Sequence, residues 1–242
     1  MVEQRGGDTE FGSWAVVGAG RTGHALVSSL PWLNGPYGRG FDGHDFDIVL
    51  LAVSDGEISG AAAAIKPGPM VGHCAGSLGL DVLAPHEAFG LHPLTTITSE
   101  GAEFAGVGAA IAGSTPRALA VAHCLADALK MRSVEIADAN RAAYHAAASI
   151  ASNFLVTLED AAEVMLRTAG VDRSLLVPLV RASLENWAVL GAPAALTGPI
   201  VRGDEATVAR QRAAVSTRAP ELVPLFDALA DRTRAIVERH RD

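Results

Sequence analysis

The sequence predicts an α/β protein in which a parallel-sheet domain precedes an all-helical one. Three observations carry that expectation. Short apolar runs alternate with helix-like segments up to residue 137, a glycine triplet follows the first run directly, and no strand-like run occurs beyond 137.

Residues 1–12 read as a disordered tail, polar and charged and without the apolar stretch of a signal peptide. Residues 13–17 then make a short buried strand, and Gly18-Ala-Gly20-Arg-Thr-Gly23 opens a helix that reaches Leu30. Residues 47–53 are an unbroken apolar strand of the kind a parallel sheet buries on both faces. Only sixteen residues separate Leu30 from Asp47, hardly room for a second strand. Further strands are expected over 70–73, 88–91, 107–112 and 132–136, with a helix over 57–65 between them. Another helix opens at Ser114-Thr115-Pro116, a capping residue with proline in the first turn, and reaches Leu129. The sheet domain therefore spans 13–137. From Asp138 an alanine-rich helix is expected to run unbroken to about Ala169, where Gly170 ends it. Helices follow Asp172 (to about Leu190), Asp204, which is well placed as a cap, and Pro220. The second domain, 138–242, is all helical.

Composition narrows the function. Nineteen basic and twenty-seven acidic residues leave a net charge of −8, which argues against a nucleic-acid surface or a polybasic membrane patch. No stretch is expected to approach the length of a membrane span. Two cysteines, Cys74 and Cys124, cannot make a disulfide framework and fit a reduced, cytoplasmic setting. Forty-five alanines suit helices packed closely through small side chains. The only lysines are Lys66 and Lys130.

The triplet Gly18-x-Gly20-x-x-Gly23, between a strand and a helix, reads as a Rossmann-like dinucleotide turn, the alternative being a glycine-rich turn with no ligand. Gly18 allows the tight turn, Gly20 the approach of a pyrophosphate, and Gly23 the close packing of the helix, with Arg21 and Thr22 at its start. The acidic residue that binds the ribose of NAD is missing some twenty positions on. Arg39, or Arg21, could instead meet the extra phosphate of NADP; the alternative is a degraded adenosine pocket. Ser54, Asp55, His73, Cys74 and His92 follow predicted strands, so they can converge on the ligand crevice at the carboxyl ends of the sheet. A set of His73, Cys74, His86 and His92 matches no zinc spacing, and no metal is expected. His145, Ser149 and Asn153 recur every four residues on one helix face, among alanines. That polar stripe needs a ligand or a neighbouring helix. Asn186 would line a cleft or pack its helix, and Arg202 would hold a carboxylate or lie on the surface.

Taken together, these motifs resemble one bacterial family. They are Val17-Gly-Ala-Gly-Arg-Thr-Gly23, Leu51-Ala-Val-Ser-Asp55, Gly72-His-Cys-Ala-Gly76, Gly90-Leu-His-Pro-Leu94, the segment Tyr144 to Leu155, and Leu196-Thr-Gly-Pro-Ile-Val-Arg-Gly-Asp204. That family pairs a Rossmann-like domain with a helical domain of unknown function and carries the label NADP-dependent oxidoreductase. More distantly the chain resembles the 6-phosphogluconate dehydrogenase-like superfamily, near ketopantoate reductase, pyrroline-5-carboxylate reductase and prephenate dehydrogenase. Gly90-Leu-His92-Pro93 is similar to the Gly-x-His-Pro loop of the last of these.

The resemblance implies NADP, with NAD the weaker candidate, held along Gly18–Gly23, and a homodimer formed through the helical domain, which also carries substrate contacts. It implies hydride transfer to or from a small carbonyl or hydroxy compound that bears a carboxylate. Relatives that use a lysine on the helical side as proton donor have no counterpart here, since the helical domain contains none. The acid/base role then passes to His145, with Asn153 orienting the substrate oxygen and His92 as the rival. Ser54 and His73 would border the nicotinamide, and Ser149, Asn186 and Arg202 the substrate. Two other readings stay open: a non-catalytic Rossmann-like binding or regulatory protein, and a purely structural dimer scaffold.

Overall fold

Burial on both faces dictates the centre of the sheet. In the computed structural model, which describes residues 11–240, strands β1 (Trp14–Val17) and β3 (Ile48–Leu51) are buried at every position. The tail expected over 1–12 lies, through residue 10, outside the described residues. Side chains alternate across a strand. Trp14, Val16, Ile48 and Leu50 therefore join one apolar cluster, and Ala15, Val17, Val49 and Leu51 join another. Helices α1 (Arg21–Ser29) and α3 (Pro116–Ala128) cover the first face through Leu26, Val121 and Leu125. Helix α2 (Ile58–Ala64) covers the second through Ile58 and Ala62.

The described strands are completed by β2 (Asn34–Tyr37), β4 (Met70–His73), β5 (Ala88–Pro93), β6 (Gly108–Gly113) and β7 (Arg132–Glu135). Their order is β2-β1-β3-β4-β5-β6-β7. Every pairing is parallel except β5 with β6, whose connection contains no helix and so returns as an antiparallel neighbour. From β1 the chain passes to β2 on one side and then to β3 on the other. The carboxyl ends of these three strands thus flank a topological switch point.

Strand β2 corrects the expectation that residues 31–46 leave hardly any room for a second strand. Its sequence, Asn-Gly-Pro-Tyr, reads as a turn by composition. It pairs because Asn34 Nδ2 donates to the Trp14 carbonyl at 3.0 Å and the Gly18 amide donates to the Tyr37 carbonyl at 2.8 Å. The pairing is short and shifts register between Ala15 and Val17.

Contacts group the chain into two compact units, one ending at Ser152 and one beginning at Asn153. The first unit includes α4 (Arg141–Ala151) after the sheet. The unbroken helix expected from Asp138 to Ala169 is interrupted at Ser152 (φ −120°, ψ −73°), and α5 (Asn153–Arg167) starts anew. The hydroxyl of Ser152 donates to the Ala148 carbonyl at 2.9 Å. The second unit continues with α6 (Leu176–Ala195), α7 (Glu205–Arg218) and α8 (Val223–Glu238). Helix α6 passes the expected end at Leu190 across a kink at Gly191. Asp204 caps α7 by accepting from the Thr207 amide at 3.0 Å, and Arg212 grips Asp227 of α8 with two bonds of 2.8 Å.

One further expectation needs correcting. Over Arg173–Ala195 the chain is helical and, by length and composition alone, apolar enough to cross a membrane. Arg181 and Glu185 interrupt that stretch, and both are costly in hydrocarbon.

The glycine turn yields a stability test. Gly18 adopts φ +117°, and a Cβ at Gly23 would sit 1.9 Å from the Gly18 carbonyl oxygen. A Cβ at Gly20 would meet nothing within 4 Å. Gly23→Ala is expected to destabilise the protein by about 2–3 kcal/mol by overpacking, and Gly20→Ala by less than about 1 kcal/mol. Urea unfolding of the two variants beside the parent checks the contrast.

Candidate functional site

Two clusters of functional groups lie along the carboxyl edge of the first unit's sheet. One surrounds the switch point. A cavity of about 610 Å³ opens there, lined by Gly18 and Gly20 after β1, by residues 37–41 after β2, and by Ser54, Glu57 and Ala61 after β3. Tyr37 and Phe41 stack with ring centroids 4.1 Å apart, making one wall a rigid aromatic surface. Arg39 stands at the rim, almost fully exposed, with its Nη2 2.7 Å from Glu57 Oε1. The other carboxylate oxygen of Glu57 accepts from the Ser54 hydroxyl at 2.6 Å. These two donors, Ser54 first and Arg39 second, hold the Glu57 carboxyl below the usual range, so it is ionised. Residues 37–41 wall this cavity and do not fill it.

The amino end of α1 meets the same floor. Gly20 is its cap residue, no side chain caps the helix, and its first turn carries no acid. Its free amides therefore suit an anion. Arg21 and Thr22 begin the helix as expected, but Arg21 lines a different cavity, of about 660 Å³, with His24 and residues 98–102. The structure thus separates the two arginines: Arg39 serves the switch-point cavity and Arg21 the flank of α1.

The second cluster lies past β4 and β5, where α4 comes over the sheet. His92, near the end of β5, has Nδ1 3.0 Å from the Tyr144 hydroxyl of α4. Its ring also packs edge-on to that of His145, with centroids 6.0 Å apart. Gly76 lies between the two imidazoles. A Cβ there would come within 2.8 Å of His145 Cδ2 and of His92 Cε1, so a side chain at 76 would push into the pair. Burial first, and the neighbouring His145 second, lower the His92 pKa to about 4, leaving a neutral imidazole at pH 7. Burial also raises the Tyr144 phenol above its usual range, so it keeps its proton. A neutral imidazole bonded to a protonated phenol can pass or donate a proton without carrying net charge.

His73, expected to border the nicotinamide, ends β4. Its ring is fully buried; Nδ1 accepts from the Ala75 amide at 3.2 Å and Nε2 donates to the Gly79 carbonyl at 3.1 Å. Both nitrogens are consumed in shaping the 74–79 loop that carries Gly76. Ser77 of that loop donates to Asp55 at 2.8 Å, tying it to the end of β3. Burial pushes the Cys74 thiol up to about 12, which leaves it an inert thiol. His86, bonded to the Ala62 carbonyl, faces α2. Among the described residues no group of three His, Cys, Asp or Glu is placed to hold a metal ion.

Sequence reasoning missed three participants. Arg141 is buried at the start of α4, with Nε 2.8 Å from Asp138 and Nη2 without a partner. Its charge helps to keep His73 and His92 unprotonated. It lies three residues before Tyr144, and that helical spacing was the available signal. Tyr144 was visible only as a neighbour of His145. Glu57 stands three residues after Ser54, a pattern that reads as a capping box and here becomes a side-chain bond inside the cavity. Ser149 lies on α4, partly exposed, on the His145 face. Asn153, Asn186 and Arg202 belong to the second unit, all three exposed: Asn153 opens α5, Asn186 lies within α6, and Arg202 sits in the turn before α7. Of the two lysines, Lys66 is tied to Asp42 at 2.6 Å and Lys130 occupies a left-handed turn (φ 56°) after α3.

Known proteins place this architecture. The family model described as "Domain of unknown function (DUF2520)" matches residues 107–233. No functionally curated protein matches the sequence. Among solved structures, protein TM1727 from Thermotoga maritima is similar at TM-score 0.80 and 22% identity, over 95% of this chain and 100% of that one. A provisionally assigned NADP oxidoreductase from Bacteroides fragilis, BF3122, has TM-score 0.78 and 17% identity, over 92% and 98%. A reductive aminase from Aspergillus terreus, solved with NADPH and ethyl-5-oxohexanoate, has TM-score 0.67 and 14% identity, over 94% and 99%. At these identities the likeness establishes the Rossmann-like fold with its helical carboxyl-terminal region.

The buried histidines make stability depend on pH. Burial lowers the pKa of both His73 and His92 on folding, and for His92 the unfolded chain binds more protons than the native one between the ordinary value of 6.5 and about 4. The contribution is fully present above 6.5 and is lost as pH falls towards 4. The difference in unfolding free energy between the parent and His92→Gln is expected to shrink by on the order of 2 kcal/mol across that window. Chemical denaturation at stepwise pH reads it; a constant difference would remove His92 from the buried, neutral role.

Proposed function

This chain belongs to the DUF2520 family, and we propose that it is an NADP-dependent oxidoreductase acting on a small, carboxylate-bearing carbonyl or hydroxy compound. The observation that carries the reading is the switch-point cavity, floored by Gly18 and Gly20 and rimmed by Arg39. The residues fit the dinucleotide. Uncapped amides at the start of α1 suit its pyrophosphate, and Gly20 leaves open space for it. The aromatic wall of Tyr37 and Phe41 suits a purine, and Arg39 suits the 2′-phosphate that distinguishes NADP. The neighbours crystallised with NADPH support the same cofactor. When bound, the nicotinamide supplies or accepts the hydride.

The chain's own residues then manage the proton. His145 exchanges a proton with the substrate oxygen as charge develops there. His92 and Tyr144 form the neutral donor pair beside it, which His92 can also use to relay a proton. The His73-shaped loop keeps Gly76 between the two imidazoles, and the Arg141 charge disfavours protonation of His92. Ser149 is the proposed substrate contact on α4. Asn153 is proposed to orient the substrate oxygen, and Asn186 and Arg202 are proposed as substrate contacts, all three on the sequence reading alone. The reading as a binding protein with a degraded adenosine pocket is opposed by a cavity that residues 37–41 leave open.

The second unit carries the proposal of a homodimer. Helix α6 exposes Leu179, Trp187, Val189 and Leu190, with Val189 82% accessible, a density of apolar side chains that marks an interaction surface. Its length and composition are met by a helix that packs against another copy.

NADPH should bind with a micromolar dissociation constant, read by quenching of tryptophan fluorescence; no binding at millimolar NADPH would sink the cofactor assignment. In a preparation reducing a carbonyl substrate, His145→Ala should lower kcat about 100-fold or more while the NADPH affinity stays within about twofold. Sedimentation should show a dimer that Val189→Asp converts to monomer.

A further inference from the structure

The switch-point cavity holds a charge that a simple NADP site does not need. Glu57 projects into it, bonded to Ser54 at 2.6 Å through one oxygen and to Arg39 at 2.7 Å through the other. Arg39 is the cation at the rim of the wall that follows β2, the side on which a Rossmann-like site reads the 2′ position of the adenosine ribose. A guanidinium engaged by a carboxylate is not free for a phosphate. A 2′-phosphate arriving there competes with Glu57 for the same donors and meets its negative charge. A ribose 2′-hydroxyl presents the opposite chemistry: it donates a hydrogen bond, which a carboxylate accepts well. The chain has no acid immediately after β2, and among the described residues lining this cavity Glu57 is the carboxylate.

We propose that Glu57 is a cofactor-discriminating residue, which opposes Arg39 and keeps NADH usable beside NADPH. This rests on the dinucleotide reading given above. With NADPH, the phosphate takes Arg39 and Glu57 is displaced. With NADH, Glu57 stays paired to Arg39 and accepts from the ribose hydroxyls. The exposed Arg39–Glu57 pair is of the weak kind that a dianionic phosphate can break, so both states are reachable. The preference between the two dinucleotides is then set by the balance of one cation against one anion, and removing either should tilt it in opposite directions.

The experiment is titration of NADPH and NADH, each into the parent, Glu57→Gln, Glu57→Ala and Arg39→Gln, with an unfolding temperature taken for every variant. The parent should bind both. Glu57→Gln, and Glu57→Ala in the same direction, should tighten NADPH by about five- to tenfold and weaken NADH a few-fold. Arg39→Gln should weaken NADPH more than about tenfold and leave NADH within about threefold. The proposal is overturned if both Glu57 variants are folded and change the NADPH-to-NADH affinity ratio by less than about twofold while Arg39→Gln changes it strongly. It is equally overturned if the parent binds NADPH and shows no NADH binding at millimolar concentration. If the parent binds neither dinucleotide, the cofactor reading itself fails and this inference goes with it.

Discussion

The close approach of backbone at the head of β1 is the constraint on which the rest depends. A Cβ on Gly18 would stand 2.4 Å from the Ala52 carbonyl oxygen, and one on Gly23 would stand 1.9 Å from the Gly18 carbonyl. Strand β1, the start of α1 and the end of β3 thus meet with no side chain between them. Such contact is possible only because β1 and β3 are pinned in register by parallel pairing and buried on both faces. It brings the amides of α1 to the floor of a cavity whose walls come from residues after β2 and β3. An enlarged turn would separate those three sources and leave an ordinary surface groove.

The histidine cluster obeys a different economy, that of dielectric. Burying ionisable groups near one another is unfavourable when they are charged, and a histidine escapes by staying neutral. His73 does so with both nitrogens satisfied by backbone groups, and His92 does so with a phenol as partner. Arg141 cannot become neutral, and its buried guanidinium, anchored by Asp138, instead sets the electrostatic tone for its neighbours. An orphaned N–H in such a place is costly, a burden commonly tolerated at functional sites. The same neutrality makes His92 and Tyr144 a pair that can handle a proton without building up charge in a dry place.

How far the sequence reached depended on the range of the interaction. Strands β3, β4 and β5 and the cap at Thr115 follow from local patterning, because apolar runs and capping chemistry act within a few residues. The glycine triplet was legible for the same reason. Strand β2 was not, since Asn-Gly-Pro-Tyr has poor strand propensity and pairs only because β1 offers a free edge beside it. The helix interruption at Ser152 was hidden in a run of alanines whose propensity permits continuity. Glu57 and Arg141 were likewise invisible as site residues. A carboxylate eighteen residues from its arginine, or a guanidinium buried only once the chain has folded, leaves no periodic trace.

By itself, then, the amino-acid order determined the class of fold, the dinucleotide-type turn, the absence of a helical-domain lysine and the candidacy of His92 and His145. Those features rest on hydrophobic periodicity, backbone sterics and composition, which need no knowledge of distant partners. The tertiary structure alone decided which arginine faces the cavity, that His73 spends both nitrogens on its own loop, that Tyr144 completes the His92 pair, and that Glu57 holds Arg39. Each of these depends on groups far apart in the chain meeting within hydrogen-bond distance, and only the closed fold sets those distances.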